Sequence, residues 1–163
     1  MESSELPFMD MLIRLSVATG FGFLLGLERE LRGKPAGLRS HMLVAMGAAA
    51  FVMVGMHILF ATATGDPSAR IDPTRIVEGV IGGIGFLGAG CIIQARGSVQ
   101  GITTGASIWI AGAVGVASGI GNLSLAALLS AFALITIAVL GHFEKEVLND
   151  REEPTGARRG RSQ

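Results

Sequence analysis

DPTRIVEGVIGGIGFLGAG, residues 72–90, carries a helix start, three charged residues and six glycines in one apolar run. Asp72 suits an N-cap and Pro73 the first helical position. In water, a helix holding Gly79, Gly82, Gly83, Gly85, Gly88 and Gly90 would be weak, since each Gly costs about 1 kcal/mol against Ala. In a bilayer no water competes for the backbone, and small residues let neighbouring helices approach closely. The stretch therefore predicts the packed centre of a membrane bundle, with Asp72, Arg75 and Glu78 at its mouth.

The rest of the chain agrees. Half of its 163 residues are hydrophobic and 24 are glycine, with mean hydropathy +0.56, a membrane-protein profile. Residues 97–143 hold no Asp, Glu, Lys or Arg. A span needs about 20 apolar residues, so this run accommodates two spans joined at Gly119–Asn122. The reading is all-α and polytopic. Five spans are expected, at about 8–27, 42–62, 76–95, 102–120 and 123–142, with helices three and four packed centrally. Residues 1–145 form the membrane domain, and 146–163 a polar cytoplasmic tail expected to be disordered. The N-terminus is acidic and lacks a signal peptide's positive n-region, so the first apolar run is expected to stay in the mature protein. Cys91 reads as a small packing residue. No basic patch with interleaved aromatics suggests nucleic-acid binding.

The basic residues set an expected orientation. Arg29, Arg32, Lys34, Arg39, Arg96 and the tail's Lys145, Arg151, Arg158, Arg159 and Arg161 fall on one side, against Arg70 and Arg75 on the other. The positive-inside rule then places the N-terminus outside and the C-terminus in the cytoplasm. An outer charged cluster would comprise Arg14, Asp72, Arg75 and Glu78, near Asp10. An inner one would comprise Glu28, Arg29, Arg39 and His41, with Glu30 and Arg96 nearby. Arg14 and Glu78 each lie about a turn below the surface, where ionisable groups pair inside the bundle or snorkel separately to the headgroups.

Most single motifs have an ordinary reading. Gly83–Gly88 matches G-x-G-x-x-G, but inside an apolar span and with no acidic residue near Ile108 it speaks for helix packing, not a dinucleotide. Gly79 and Gly83 are four apart, as are Gly101 and Gly105, and Gly115 and Gly119, the spacing of close helix contacts. Gly85, Gly88 and Gly90 join this packing set, and Trp109 is expected to pack against the glycine faces. Thr103, Thr104 and Ser107 can bond to their own helix or a neighbour, or line a polar cavity with Asp72 and Glu78. Ser107 lacks a supporting His motif for proteolysis, and the three histidines show no metal-ligand spacing. No cofactor, metal or catalytic residue is expected. Glu28–Glu30 reads as a charged stop at the membrane boundary, and Ser40 as an N-cap.

Taken in order, GFLLGLERELRG (22–33), AGLRSHMLVAMGAAAFV (36–52), DPTRIVEGVIGGIGFLGAGCII (72–93) and GSVQGITTGASIWIAGAVGVASGIG (97–121) resemble the bacterial MgtC/SapB family over roughly residues 10–141. The likeness carries over Glu28, Arg29, Gly37, Leu38, Arg39, Asp72, Pro73, Arg75, the glycines of 83–90, Thr104, Ser107 and Trp109. It implies a multi-pass inner-membrane protein linked to growth at low magnesium, to intracellular survival of pathogens and, in some members, to control of the proton-driven ATP synthase. Glu78 stands where the family usually has Gln, and Gln100 where Arg or Lys is common. Well-studied members continue into a cytoplasmic domain that this sequence stops short of, so regulation through it is expected to be absent or supplied by another protein.

The expected function is that of a non-enzymatic modulator of magnesium or membrane-energy homeostasis. Its partners would be the lipid bilayer and either a second copy or another membrane protein such as an ATP synthase subunit. The alternative is a small ion transporter or channel using Asp72, Glu78, Glu28 and Arg39.

Overall fold

The computed structural model describes residues 6–63, 72–95 and 97–149. Five helices follow in order: α1 (Phe8–Leu31), α2 (Leu38–Ala63), α3 (Thr74–Gly90), α4 (Ile102–Gly119) and α5 (Leu123–Asn149). A short antiparallel hairpin, β1 (Ile93–Ala95) and β2 (Ser98–Gln100), links α3 to α4. The chain is thus an all-α polytopic membrane protein. Helices α1, α2, α4 and α5 are each long and apolar enough to cross a bilayer. With 17 residues, α3 rises about 26 Å, a little short of the ~30 Å hydrocarbon core.

The third helix differs from the expected span at both ends. It stops at Gly90 rather than 95, because Ile93–Ala95 pairs with Ser98–Gln100 as strands, with Gly97 (φ +82°) leading into the second. Gly101 opens α4 at φ +88°, and a Cβ there would collide with the Cys91 carbonyl, so only glycine suits the corner. At the start, Pro73 occupies the cap position. Asp72 lies just before it and accepts hydrogen bonds from the Thr74 hydroxyl (2.7 Å) and N–H (2.9 Å). Those bonds hold its carboxyl below the ordinary range. At the far end of the chain, α5 continues past 142 to Asn149. Arg70, Arg96 and the tail from 150 onward lie outside the described residues.

Of the two glycine-rich helices, only α4 is central. It touches all four other helices, whereas α3 buries only Val80, Ile84 and Gly88. The reason is backbone proximity. A Cβ at Gly115 would strike the Ala45 carbonyl, and one at Gly119 would come within 2.7 Å of the Ala49 carbonyl. On α1, Gly22 and Gly26 approach α2 as closely: a Cβ would lie 2.8 Å from the His41 carbonyl at Gly22 and 2.7 Å from Leu38 Cα at Gly26. A Cβ at Gly105 would come within 2.8 Å of the Gly88 carbonyl, the one such backbone approach between α3 and α4. The sequence expectation of close packing at Gly79, Gly83, Gly85 and Gly90 is therefore corrected. A Cβ at any of the four meets nothing within 4 Å, because α3 faces the bundle through Val80, Ile84 and Gly88 instead.

Of the two alternatives for Arg14 and Glu78, pairing with each other is not what the structure shows. Arg14 Nη1 donates to the Gly119 carbonyl at 2.8 Å, satisfying an orphan acceptor at the C-terminus of α4. Glu78 is exposed on α3.

Two outcomes follow for stability in detergent. Gly115→Ala is expected to lower it by about 1–3 kcal/mol, since backbone must move. Gly83→Ala is expected to be neutral or to gain up to about 1 kcal/mol from helix propensity. Equal losses in thermal melts would contradict this division. Arg14→Met and Glu78→Leu are expected to combine additively within about 0.5 kcal/mol, as residues without shared partners do; a larger coupling in a double-mutant cycle would restore the pair.

Candidate functional site

The α1–α2 turn builds the site. Gly33 (φ +60°) and Ala36 (φ +56°) turn the chain through left-handed conformations, the second being costly for a residue with a Cβ. Glu30 steadies the turn: its Oε2 accepts the Leu38 N–H at 3.1 Å, capping α2. A Cβ at Gly37 would collide with that same carboxylate. Helix α2 therefore starts at Leu38, and Ser40, expected as its cap, lies within the first turn.

This turn brings the end of α1 and the start of α2 against α4. Arg29 is 2% exposed and His41 0%, although both are polar and sit near helix ends. Arg29 Nη2 donates to Thr104 Oγ1 at 2.7 Å. His41 Nδ1 lies 2.9 Å from the Gly37 carbonyl, and its Nε2 3.1 Å from Ser107 Oγ. Ser107 Oγ is also 2.9 Å from the Thr104 carbonyl. Three helices are thus joined by one buried chain of polar groups.

The donor inventory constrains this chain. A carbonyl only accepts, so His41 Nδ1 carries a hydrogen. In a neutral ring Nε2 must then accept from the Ser107 hydroxyl, which has a single hydrogen and so releases the Thr104 carbonyl. In a charged ring Nε2 donates to Ser107, whose hydroxyl is then free to bond to Thr104. The protonation state of His41 sets the direction of the Ser107 hydroxyl.

Beside this chain lies a second buried group. Glu28 Oε1 is 2.5 Å from Arg32 Nε, an ion pair by distance that is not aligned as a hydrogen bond. Among the described residues, neither Glu28 oxygen nor Arg29 Nε has a hydrogen-bond partner. Arg32 also donates to the Ala138 carbonyl at 3.1 Å, which ties α1 to α5.

The inner cluster read from the sequence thus divides. Glu28, Arg29 and His41 are gathered, while Arg39 is exposed and makes no bond with them. Thr104 and Ser107 complete the site, where sequence reasoning had left them between several roles. Their i, i+3 spacing on α4 was the available signal. They bond to Arg29 and His41, not to Asp72 and Glu78. The outer cluster does not assemble: Arg14 bonds to Gly119, Asp72 to Thr74, and Glu78 is exposed. Arg75 lines a groove between α2 and α3. Trp109 is 46% exposed, at the side of an apolar pocket formed with Ile81, Ile84 and Gly112. Among the described residues, no group of three or more His, Cys, Asp or Glu is placed to hold a metal ion.

A bundle of apolar helices centred on α4, with a basic turn leading into a buried Arg–Thr–Ser–His chain, defines a polytopic membrane protein. The MgtC family pattern matches residues 15–146, and the chain belongs to the MgtC family. It is 36% identical over 140 residues to YhiD of Escherichia coli, covering 86% of this chain and 65% of that protein. It is 43% identical over 135 residues to SrpB of Synechococcus elongatus, covering 77% and 71%. With MgtC of Brucella abortus it shares 42% identity over 119 residues, 73% of this chain but only 46% of the relative. The chain thus spans from about half to about two thirds of the length of these relatives. No solved structure matches it significantly.

Removing one partner from the buried chain is expected to cost more than its position near a helix end suggests. Thr104→Val leaves the Arg29 guanidinium without its acceptor and is expected to lose about 1.5–3 kcal/mol. Once Arg29→Met is present, the same change is expected to cost much less, a coupling within the 0.5–3 kcal/mol range of touching pairs. Chemical unfolding of the four proteins of that cycle checks this.

Proposed function

We propose that this protein is a non-enzymatic modulator of magnesium or membrane-energy homeostasis in the bacterial inner membrane, acting by helix-to-helix contact with another membrane protein. Its N-terminus lies outside and its C-terminus in the cytoplasm. Family membership supports the setting. The observation that carries the modulator reading is the filled centre of the bundle. Helix α4 occupies it with Gly105, Ala111, Gly112, Gly115 and Gly119, several of them against the backbone of neighbours. Two cavities, of about 200 and 680 Å³, lie between helices and are lined mainly by apolar side chains. The ionisable groups do not line up across the membrane: Glu28, Arg29 and His41 gather at one end, and Asp72, Arg75 and Glu78 stand at the other.

A transporter reading has its own support. The name of YhiD assigns that protein provisionally to magnesium transport, and Glu28 Oε2 is buried without a hydrogen-bond partner among the described residues. Reconstitution separates the two. The purified chain in liposomes is expected to show no magnesium or proton flux above empty vesicles. In cells, His41→Ala and Glu28→Ala are expected to abolish rescue of growth at low magnesium while the protein remains in the membrane. A reproducible flux that Glu28→Ala removes would overturn the modulator reading.

A further inference from the structure

Helices α2 and α3 diverge along one side and leave an open groove of about 680 Å³. Its walls are two regular stripes: Gly47 and Phe51 on α2, and Arg75, Gly79, Gly83 and Leu87 on α3. The α3 residues recur every four positions, so they share one face. Gly47, Gly79 and Gly83 leave the floor bare, with no atom within 4 Å of where a Cβ would sit. Phe51 and Leu87 stand above it as exposed rims, at 67% and 52%. From Arg75 to Leu87 the groove runs about 18 Å at 1.5 Å per residue, close to one leaflet of a ~30 Å core.

Arg75 is the only charged residue in the lining. It sits at the end of the groove, in the first turn of α3, and has no ion pair among the described residues. The nearby acids lie outside the lining, although Asp72 attracts Arg75 from the start of the helix. Asp72 is engaged by Thr74, and Glu78 lies off the lining.

We propose that this groove binds one anionic phospholipid, its phosphate on the Arg75 guanidinium and one acyl chain along Gly79 and Gly83. A guanidinium recognises a phosphate through charge-assisted, bidentate hydrogen bonds. The apolar trough below it matches a hydrocarbon chain in length and chemistry. A second copy of the chain fits less well. A two-fold interface sets like surface on like, so groove would face groove over a void, with two Arg75 side chains at the same depth.

The full chain, purified in mild detergent with equal palmitoyl-oleoyl phosphatidylglycerol and phosphatidylcholine, tests this by native mass spectrometry. One phosphatidylglycerol is expected to stay bound, favoured about threefold, because both lipids offer a phosphate to Arg75 but only phosphatidylcholine adds a cationic choline that the guanidinium repels. Arg75→Gln is expected to erase that preference. Gly79→Leu, filling a space that is otherwise empty, is expected to remove the bound lipid altogether. Arg39→Gln, a charge change outside the groove, is expected to change nothing. A second measurement does not depend on the folding of the glycine variant. Phe51→Trp in a Trp109→Phe background is expected to be quenched more by brominated phosphatidylglycerol than by brominated phosphatidylcholine, and Arg75→Gln to remove the difference. Equal retention and equal quenching with and without Arg75 would overturn the proposal. So would a two-copy species that Gly79→Leu dissociates, which would make a second chain the occupant.

Discussion

The structure depends on backbone-to-backbone contact between α4 and α2. Gly115 and Gly119 rest on the carbonyls of Ala45 and Ala49, so close that a methyl group has no room. In a bilayer, helices gain little by hiding apolar surface from lipid, and association rests on packing and on interhelical hydrogen bonds. Small residues supply the first. Once α4 lies that close, Thr104 and Ser107 fall within reach of Arg29 and His41, and the polar groups supply the second. Gly22 and Gly26 bring α1 in by the same means.

This arrangement makes the polar site a consequence of the packing and also a brace for it. A buried guanidinium is expensive unless its hydrogens find acceptors. Thr104 provides one, and Glu28 lies next to Arg29 in the chain. The Ser107 hydroxyl stands between His41 and the Thr104 carbonyl with one hydrogen for two acceptors. The site is therefore held in place yet retains one internal choice, set by the proton on His41.

Helix α3 is the contrasting element. It carries the most conspicuous glycine run, yet it leans on α4 mainly at Gly88 and through Val80 and Ile84. Its remaining glycines face outward or into the groove beside α2. Glycine in a membrane helix thus marks a place where something can come near, and that neighbour can be another helix or an exchangeable occupant.

The sequence by itself determined the all-α membrane architecture, the number of helices and the family. Length, hydropathy and the order of four motif blocks carry that information locally, because a bilayer demands apolar runs of set length. It also marked Glu28, Arg29 and His41 as one inner group, since they flank a single short turn. Only the tertiary structure decided which glycines are in contact. Gly83 and Gly115 look alike in sequence, but the rotation of each helix about its axis, set by neighbours far along the chain, turns one to open space and the other to a carbonyl. The same rotation placed Arg14 on Gly119 instead of Glu78, joined Thr104 and Ser107 to the inner group, and left Arg39 out of it. A one-dimensional pattern fixes the faces of a helix but not their partners, and the partners are where the buried charges are satisfied.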